Sequence, residues 1–305
     1  MQKDYLFQTP FLERHRDTIA WFTYPGFMVG FTALYFWGLN AGIAVETWVI
    51  TVTVINFFVT LLFEQLVPRN RKMNCLHDTQ SLNDIGHGIL QAVSRPLIQS
   101  GAILLFAFLN ELRLQQFGQL WPAHWFFAAQ FALALFIGSF MDYVVHRSFH
   151  TFDRMWYFHV IHHDTPHMHI MKSARVHFGE EVINSAIKPL PLILLGAPTE
   201  IVVFLGMWTV FDGNMVHANI HQRFPAWFHY VLGTVHLHNL HHAKDRKYQD
   251  SNYSGSVPLW DILFRTYNHP DHSEMGDLGL ADNPVPRGFI RQVFFPFSAQ
   301  FRLKH

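Results

Sequence analysis

The sequence has few charged residues and almost no cysteine. Asp, Glu, Lys and Arg make up 14% of the 305 residues, against about 25% in a typical soluble domain. Its one cysteine, Cys75, excludes a disulfide framework and any metal site built from several thiolates. The chain also lacks a Gly-x-Gly-x-x-Gly or Walker motif. We therefore expect a protein in contact with lipid that takes any electrons it uses from another molecule.

Four apolar stretches are long enough to cross a bilayer, which requires about 20 residues. They run from Thr18 to Leu39, Ile43 to Leu66, Ile89 to Leu109 and His124 to Met141. The third contains Arg95 and Pro96, and two adjoining shorter helices could mimic a single span. The first 17 residues are polar and do not resemble a secretory signal. Residues 1–141 are therefore predicted to be a set of transmembrane helices.

Positively charged side chains predict the orientation of these helices, because cytoplasmic loops are enriched in Lys and Arg. The two segments expected on one side contain Lys3, Arg14, Arg16, Arg69, Arg71 and Lys72. The two loops on the other side contain only Arg113. We therefore expect a multi-pass protein whose first histidines lie at the cytoplasmic face. Its membrane would be the inner membrane in a bacterium or the endoplasmic reticulum in a eukaryote.

Histidines form a two-part pattern that occurs twice. Each occurrence is a His-x-x-x-His pair followed by His-x-x-His-His. The members are His146, His150, His159, His162 and His163, then His217, His221, His238, His241 and His242. With 22 histidines in the chain, one His-x-x-His-His is expected by chance about 0.1 times. Two copies, each after a His-x-x-x-His pair, are therefore a specific signal.

The spacing of these histidines predicts metal binding. Offsets of three and four residues place side chains on one face of a helix, and neutral imidazole is the commonest metal ligand in proteins. Ten imidazoles exceed the needs of one tetrahedral ion, so we expect a two-metal centre. The alternative is a set of surface or hydrogen-bonded core histidines. Iron and zinc both fit an imidazole shell, and the residues alone do not choose between them.

The apolar segment between the two sets of histidines must begin and end on the same side of the membrane if all ten meet. Residues 182–211 are interrupted by Pro189, Pro191 and the Gly196-Ala-Pro198 turn, which break a helix. A re-entrant hairpin of two short helices is therefore predicted there. Residues 142–268 would form the catalytic region, and the basic and aromatic residues of 269–305 are typical of an interfacial segment.

Five motifs resemble the fatty acid hydroxylase/sterol desaturase superfamily. They are Asp142-Tyr-Val-Val-His146-Arg-Ser-Phe-His150, His159-Val-Ile-His162-His163, His217-Ala-Asn-Ile-His221, His238-Asn-Leu-His241-His242 and the segment Asn252 to Tyr267. The resemblance covers about residues 142–267. It implies a membrane-bound non-haem di-iron oxidoreductase, with the ten histidines as ligands of two iron ions. The family's Arg-x-His-Pro segment appears as Arg175-Val-His177-Phe178, so His177 is left out of the ligand set.

What the resemblance implies about function is hydroxylation or desaturation of a membrane lipid with dioxygen. Electrons would come from an external donor of the ferredoxin, cytochrome b5 or reduced pterin type, and we expect no nucleic-acid partner. The predicted fold is an all-α integral membrane protein with about four transmembrane helices, a re-entrant hairpin and a cytosolic helical histidine-box domain. A di-zinc lipid hydrolase is the main alternative, and a metal transporter is another, although its ligands should lie within the spans.

Polar residues near the histidines are candidates to orient the ligands from behind. Asp142 precedes His146 by four residues, one turn along the same helix face, and could accept its free ring N–H. Weaker candidates, which could equally cap helices or contact solvent, are Asp164, Asp245, Asn219 and Asn239.

Overall fold

The computed structural model describes residues 9–270 and 276–298, and these residues form an all-helical protein. Their α-helices are α1 (Pro10–Asn40), α2 (Val45–Leu66), α3 (Ser81–Phe117), α4 (Phe127–Thr151), α5 (Asp153–His163), α6 (Phe178–Ile187), α7 (Leu190–Leu195), α8 (Thr199–His217), α9 (Val235–His241), α10 (Arg246–Gln249), α11 (Leu259–Leu263) and α12 (Phe289–Phe294). The described residues contain no β-strand, and the predicted all-α class is confirmed.

Helices α1 to α4 are each long and apolar enough to cross a bilayer, as predicted from the sequence. Large apolar side chains cover their outer surfaces, among them Phe22, Trp37, Phe58 and Leu97. With 37 residues, α3 is about 55 Å long and exceeds the roughly 30 Å hydrocarbon core, so part of it must project. Helix α4 runs unbroken from the fourth apolar stretch to Thr151 and carries the first two histidines of the pattern.

The apolar helix α8 packs between α1, α2 and α4. Tyr35 and Trp48 form a buried cluster with Phe204 of α8. A Cβ atom on Gly38 would lie 2.0 Å from the Trp48 ring, so only glycine permits this close crossing of α1 and α2. The aromatic packing fixes α8, whose last residue is His217.

The chain reverses between α7 and α8. Gly196 ends α7 with φ +81°, a left-handed conformation that glycine adopts without strain. Residues at both ends of the α6–α8 segment lie beside other histidines of the pattern: Glu180 contacts His159, and His217 contacts His162. Both ends therefore reach one region, as the predicted hairpin requires.

The described part of the C-terminal segment packs on α3 and on α5, which carries three histidines of the pattern. His87 of α3 hydrogen-bonds Gln292 through Nε2 and Oε1 at 3.1 Å, and Phe295 is buried against Trp156. Ile290 and Phe294 are exposed, so this segment also has an apolar outer face. Residues 1–8, which include Lys3, and residues 299–305, which include Arg302, lie outside the described residues.

Candidate metal centre

Nine of the ten predicted ligand residues converge in two groups. Within each group, one ring nitrogen from every histidine lies within 4.8 Å of all the others. The first group contains His146, His150, His159, His163 and His241, and the second contains His162, His217, His238 and His242. Each group therefore mixes residues from both occurrences of the sequence pattern. We call them the five-histidine group and the four-histidine group.

Helical spacing distributes the histidines of α5 between the two groups. His159 and His163 are one turn apart and face the five-histidine group, whereas His162 faces the other. At α9, His241 faces the five-histidine group, whereas His238 and His242 face the other. The Thr234 side chain caps the first turn of α9 by accepting from Leu237 N. The two groups are in contact, because the ring of His163 stacks on that of His242 with centroids 4.4 Å apart.

His221 lies outside both groups, contrary to the expectation of ten converging imidazoles. Its Nε2 is 2.9 Å from Oδ1 of Asp17, the eighth residue of α1. The expectation assumed a helix from His217 to His221, but α8 ends at His217 and the chain continues in an extended conformation at Ala218. His221 N then donates to Val67 O. Without the helix, the four-residue offset no longer places the two imidazoles on one face.

The Nδ1 atoms that face away from the groups donate hydrogen bonds to partners that the sequence did not indicate. Nδ1 of His146 donates to Tyr253 O at 2.6 Å, and Nδ1 of His241 donates to Ser251 O at 2.8 Å. The carboxylate of Glu180 accepts from His159 Nδ1 at 3.0 Å. These acceptors fix which ring nitrogen carries the proton. No local pattern could have identified Glu180, which is 21 residues from His159 and belongs to a different helix.

A second acidic partner, Asp250, lies behind His150. Its Oδ1 is 3.2 Å from His150 Nδ1, and its Oδ2 accepts from Arg246 in the same short turn. Asp245, one of the predicted orienting residues, instead caps α10 by accepting from Lys247 N. Asp250, and not the predicted Asp245, therefore contacts a ligand imidazole from behind.

Asp142 does not contact the His146 ring, contrary to the expectation from spacing. One carboxylate oxygen accepts from Lys188 Nζ at 2.5 Å and the other from Gly255 N at 2.8 Å. His146 instead donates to the carbonyl of Tyr253, two residues from Gly255. Asp142 therefore acts on the ligand through the loop that presents this carbonyl.

Ring nitrogens in the four-histidine group face one another in a way that fits a bound cation. His217 Nδ1 donates to Gly213 O at 2.6 Å, and His162 Nδ1 donates to Arg175 O at 3.3 Å. In the neutral imidazole, the second nitrogen then carries only a lone pair. Yet the two Nε2 atoms lie 3.1 Å apart. Two lone pairs at this distance repel each other unless a cation lies between them.

The five-histidine group has the same arrangement. His146 and His159 both donate from Nδ1 to protein oxygens, and their Nε2 atoms are 3.0 Å apart. A separation near 3 Å would suit two nitrogens that bind one ion through bonds of about 2.1 Å. The Nε2 atoms of His150 and His241 are buried and have no hydrogen-bond partner. These donors fit a metal ion, and each group could hold one.

Burial keeps the imidazoles in the neutral form that binds metals. It lowers the pKa of His241 to about 3, and neighbouring imidazoles add to the effect. Burial likewise lowers the pKa of His162, His163, His238 and His242 well below the usual value near 6.5. Their ring lone pairs are therefore free for coordination at neutral pH.

A third cluster of potential ligands is occupied by an amino group. Asp78, Asp84 and His169 have ligand atoms close together. The Nζ atom of Lys172 lies 2.7 Å from a carboxylate oxygen of each aspartate, and His169 Nε2 is 2.9 Å from Asp78. Since the ammonium group occupies the position between the carboxylates, this cluster is a buried ion-pair network.

Arg175 connects this network to the four-histidine group. Its guanidinium pairs with Asp84 and Asp164, each at 2.8 Å, and its Nε donates to Ile161 O at 2.9 Å. Its own carbonyl accepts from His162 Nδ1. Asp164, a predicted orienting residue, therefore acts on the ligand His162 through Arg175.

Residues at the end of α2 and just after it hydrogen-bond to the segments that carry the histidines. One oxygen of Glu64 accepts from the backbone N–H groups of Ile170 and Asn219, at 2.7 and 2.6 Å. Just beyond α2, Arg69 donates to the side chain of Asn239 between His238 and His241. The two predicted asparagines therefore join the histidine segments to α2 and the residues that follow it.

Gly233 permits a close backbone contact that supports His146. Gly233 N donates to Ser256 O at 2.8 Å, and a Cβ on Gly233 would lie 1.7 Å from Gly255 O. Gly233→Ala must displace the loop that presents the Tyr253 carbonyl, and we expect a loss of about 1–3 kcal/mol of stability. Thermal unfolding in detergent would measure it. Gly206→Ala, which meets nothing within 4 Å, is the control, and equal melting of the two variants would contradict the expectation.

Comparison with known proteins identifies the family. The Fatty acid hydroxylase family profile matches residues 131–266. An ornithine lipid hydroxylase of Rhizobium tropici is 30% identical over 244 residues, covering 79% of this chain and 73% of that protein. The alkylglycerol monooxygenase of Homo sapiens is 24% identical over 216 residues, or 69% of this chain and 46% of the relative.

The alkylglycerol monooxygenase of Caenorhabditis elegans is also similar, with 24% identity over 59% of this chain and 34% of the relative. The chain thus spans less than half of these two monooxygenases. No solved structure matches. The matched residues 131–266 contain both histidine groups. This match and the extent of the similarity to the ornithine lipid hydroxylase show that the chain belongs to the fatty acid hydroxylase family, within the superfamily that its histidine motifs predicted.

Proposed function

We propose that this protein hydroxylates a membrane lipid with dioxygen at a di-iron centre, using electrons from an external donor. The observation that carries the proposal is the pair of groups of buried imidazoles whose ring lone pairs face one another. The relatives support a lipid hydroxylase, because two of the three compared are named monooxygenases and one a hydroxylase. Desaturation of a lipid is the related outcome on the same centre.

Nine histidines would hold the two ions, five at one position and four at the other. When bound, two irons in such a shell would supply dioxygen activation and removal of hydrogen from an unactivated C–H bond. A di-zinc hydrolase is less well supported, because zinc in protein sites is usually four-coordinate and the first group offers five nitrogens. A transporter would need ligands near the middle of the spans. Seven of the nine histidines lie outside the four candidate spans, and His146 and His150 lie in the last two turns of α4.

The protein's own residues keep the site dry and its donors aligned. His159, His163 and His241 are buried, and backbone carbonyls and Glu180 hold protons on the outward-facing Nδ1 atoms. Neutral, preoriented lone pairs therefore point inward before any ion binds. The low accessibility also keeps bulk water from the reacting carbon.

A narrow crevice between α1, α2 and α8 is our candidate for the lipid tail. Phe31, Val52 and Trp208 are among its apolar lining residues, and Asn56 is one of its polar lining residues. Asn214 Nδ2 donates to Asn56 Oδ1 at 2.7 Å. Because Asn214 lies three residues before the ligand His217 in α8, the crevice leads toward the four-histidine group.

We propose that the metal centre lies at the cytoplasmic face. Arg69, in the positively charged loop after α2, contacts Asn239 beside His238, so the loop and the histidines lie at one end of the molecule. Lys and Arg are enriched in cytoplasmic loops. In this scheme residues 1–141 hold the spans, 142–268 the catalytic region with its re-entrant hairpin at about 182–211, and 269–305 an interfacial segment.

Lipid extracts from cells with and without the protein, compared by mass spectrometry, test the proposal. We expect one lipid class to gain one oxygen atom, and the gain to require dioxygen. Purified protein should be inactive until a ferredoxin, cytochrome b5 or reduced pterin is added. Loss of two hydrogens would indicate desaturation instead. Cleavage of an ester, or turnover with lipid and no electron donor, would contradict the proposal.

A further inference from the structure

The two histidine groups have different electrostatic surroundings. Glu180 is buried, with its Oε2 3.0 Å from Nδ1 of His159 in the five-histidine group. No lysine or arginine among residues 9–270 and 276–298 lies within 4.0 Å of this carboxylate. A buried carboxylate without a cation is strongly disfavoured, so a positive charge beyond His159 would compensate it.

Asp250 adds a second, weaker negative charge to the same group. Its Oδ1 is 3.2 Å from Nδ1 of His150. The side chain is more exposed than that of Glu180, and Arg246 pairs with its other oxygen at 3.1 Å. Solvent and the arginine reduce its effect, so Glu180 is the main source of negative charge at the five-histidine group.

Neutral carbonyl groups support the four-histidine group instead. Nδ1 of His162 and Nδ1 of His217 donate to Arg175 O and Gly213 O. In the described part of the chain, no carboxylate lies within 4.0 Å of any histidine of this group. A carboxylate behind an imidazole increases its basicity and offsets the charge of the bound ion, which a carbonyl does less well.

We propose that the two positions bind metal with unequal affinity, and that Glu180 makes the five-histidine position the tighter one, filled first. This inference rests on the metal centre of the proposed function. Glu180 contacts the ligand rather than the ion and is therefore a positioning residue. Removing such a partner typically weakens metal binding about 10- to 100-fold. Ligand number acts in the same direction, since five nitrogens exceed four.

Glu180→Gln and Glu181→Gln form a matched pair that tests the role of Glu180. Both remove one negative charge from the first turn of α6, but Glu181 pairs with Arg95 of α3 and contacts no histidine ligand. Metal-free protein in detergent would be titrated with Co²⁺ in competition with a chromophoric chelator. We expect two binding steps in the wild type, with the tighter step weakened about 10- to 100-fold by Glu180→Gln. Glu181→Gln should keep both steps within about twofold of wild type.

Asp250→Asn provides an independent arm if Glu180→Gln does not fold. Asp250→Asn should weaken the tighter Co²⁺-binding step by a smaller factor than Glu180→Gln does. Its control is Asp245→Asn, which changes the residue that caps α10. Two equal steps in the wild type, an unchanged tighter step in both variants or weakening confined to the looser step would overturn the inference. The titration is independent of turnover. Two unequal steps, together with no lipid oxidation in the presence of dioxygen and an electron donor, would therefore leave this inference standing and refute the proposed function.

Discussion

Replacing His217 by alanine is expected to empty the four-histidine position and to lower lipid oxidation by more than about 100-fold. The imidazole of His217 is central to its group, because its Nε2 lies 3.1 Å from that of His162 and 2.9 Å from that of His238. Its loss leaves three imidazole nitrogens in the group, and the Nε2 atom of His162 no longer faces that of His217. Metal content per chain and turnover would be measured on the same preparation.

His221→Ala is the matched control, since it removes an imidazole from the same His-x-x-x-His pair. His221 contacts Asp17 and lies outside both groups, so we expect unchanged metal content and activity within about threefold of wild type. His162→Ala and His241→Ala should behave like His217→Ala while still inserting into the membrane. Retention of both ions by His217→Ala, or loss of an ion in His221→Ala, would refute the nine-ligand assignment.

The second large effect is expected at Arg175, which joins the buried ion-pair network to a ligand. Its guanidinium is fully buried between Asp84 and Asp164. Arg175→Met would remove the cation that pairs with Asp164 and leave Asp84 paired with Lys172. Breaking a buried pair in this way costs about 3–5 kcal/mol. Because the Arg175 carbonyl also holds His162, metal binding at the four-histidine position should weaken too.

Thermal unfolding in detergent, followed by circular dichroism, would measure this loss. Arg246→Met is the control, because Arg246 pairs with Asp250 near the surface and exposed pairs contribute under about 1 kcal/mol. Arg175→Lys keeps the charge but loses the planar fork that contacts two carboxylates, and its stability should be intermediate. A melting temperature for Arg175→Met equal to that of the control would show that the network does not stabilise this region.

Local periodicity was sufficient to predict the four long helices and which histidines share a short helix. Apolar stretches long enough for a bilayer identified α1 to α4, and offsets of three and four residues placed His159, His162 and His163 on one short helix. Both features depend on residues close in sequence, and the geometry of an α-helix links spacing to direction without further information. The proline and glycine residues near Gly196 likewise marked the reversal between α7 and α8.

Features determined by distant parts of the chain were not predictable in this way. Helix α8 ends at His217, and the residues that follow pair with the segment after α2. This pairing holds His221 away from the two histidine groups. Asp142 contacts Lys188 rather than its helical neighbour His146, because α6 brings a cation to it. Glu180 could not be identified, since only tertiary packing places it beside His159. The division into groups of five and four also depends on how α5 meets α9.

X-ray absorption at the iron edge of the loaded protein tests the central claim most directly, which is that two ions share one array of imidazoles. Nine ligands in groups of five and four predict two irons per chain, each with a first shell dominated by nitrogen and averaging between four and five imidazoles. A single iron per chain, or a shell of oxygen ligands with one or two imidazoles, would contradict the account.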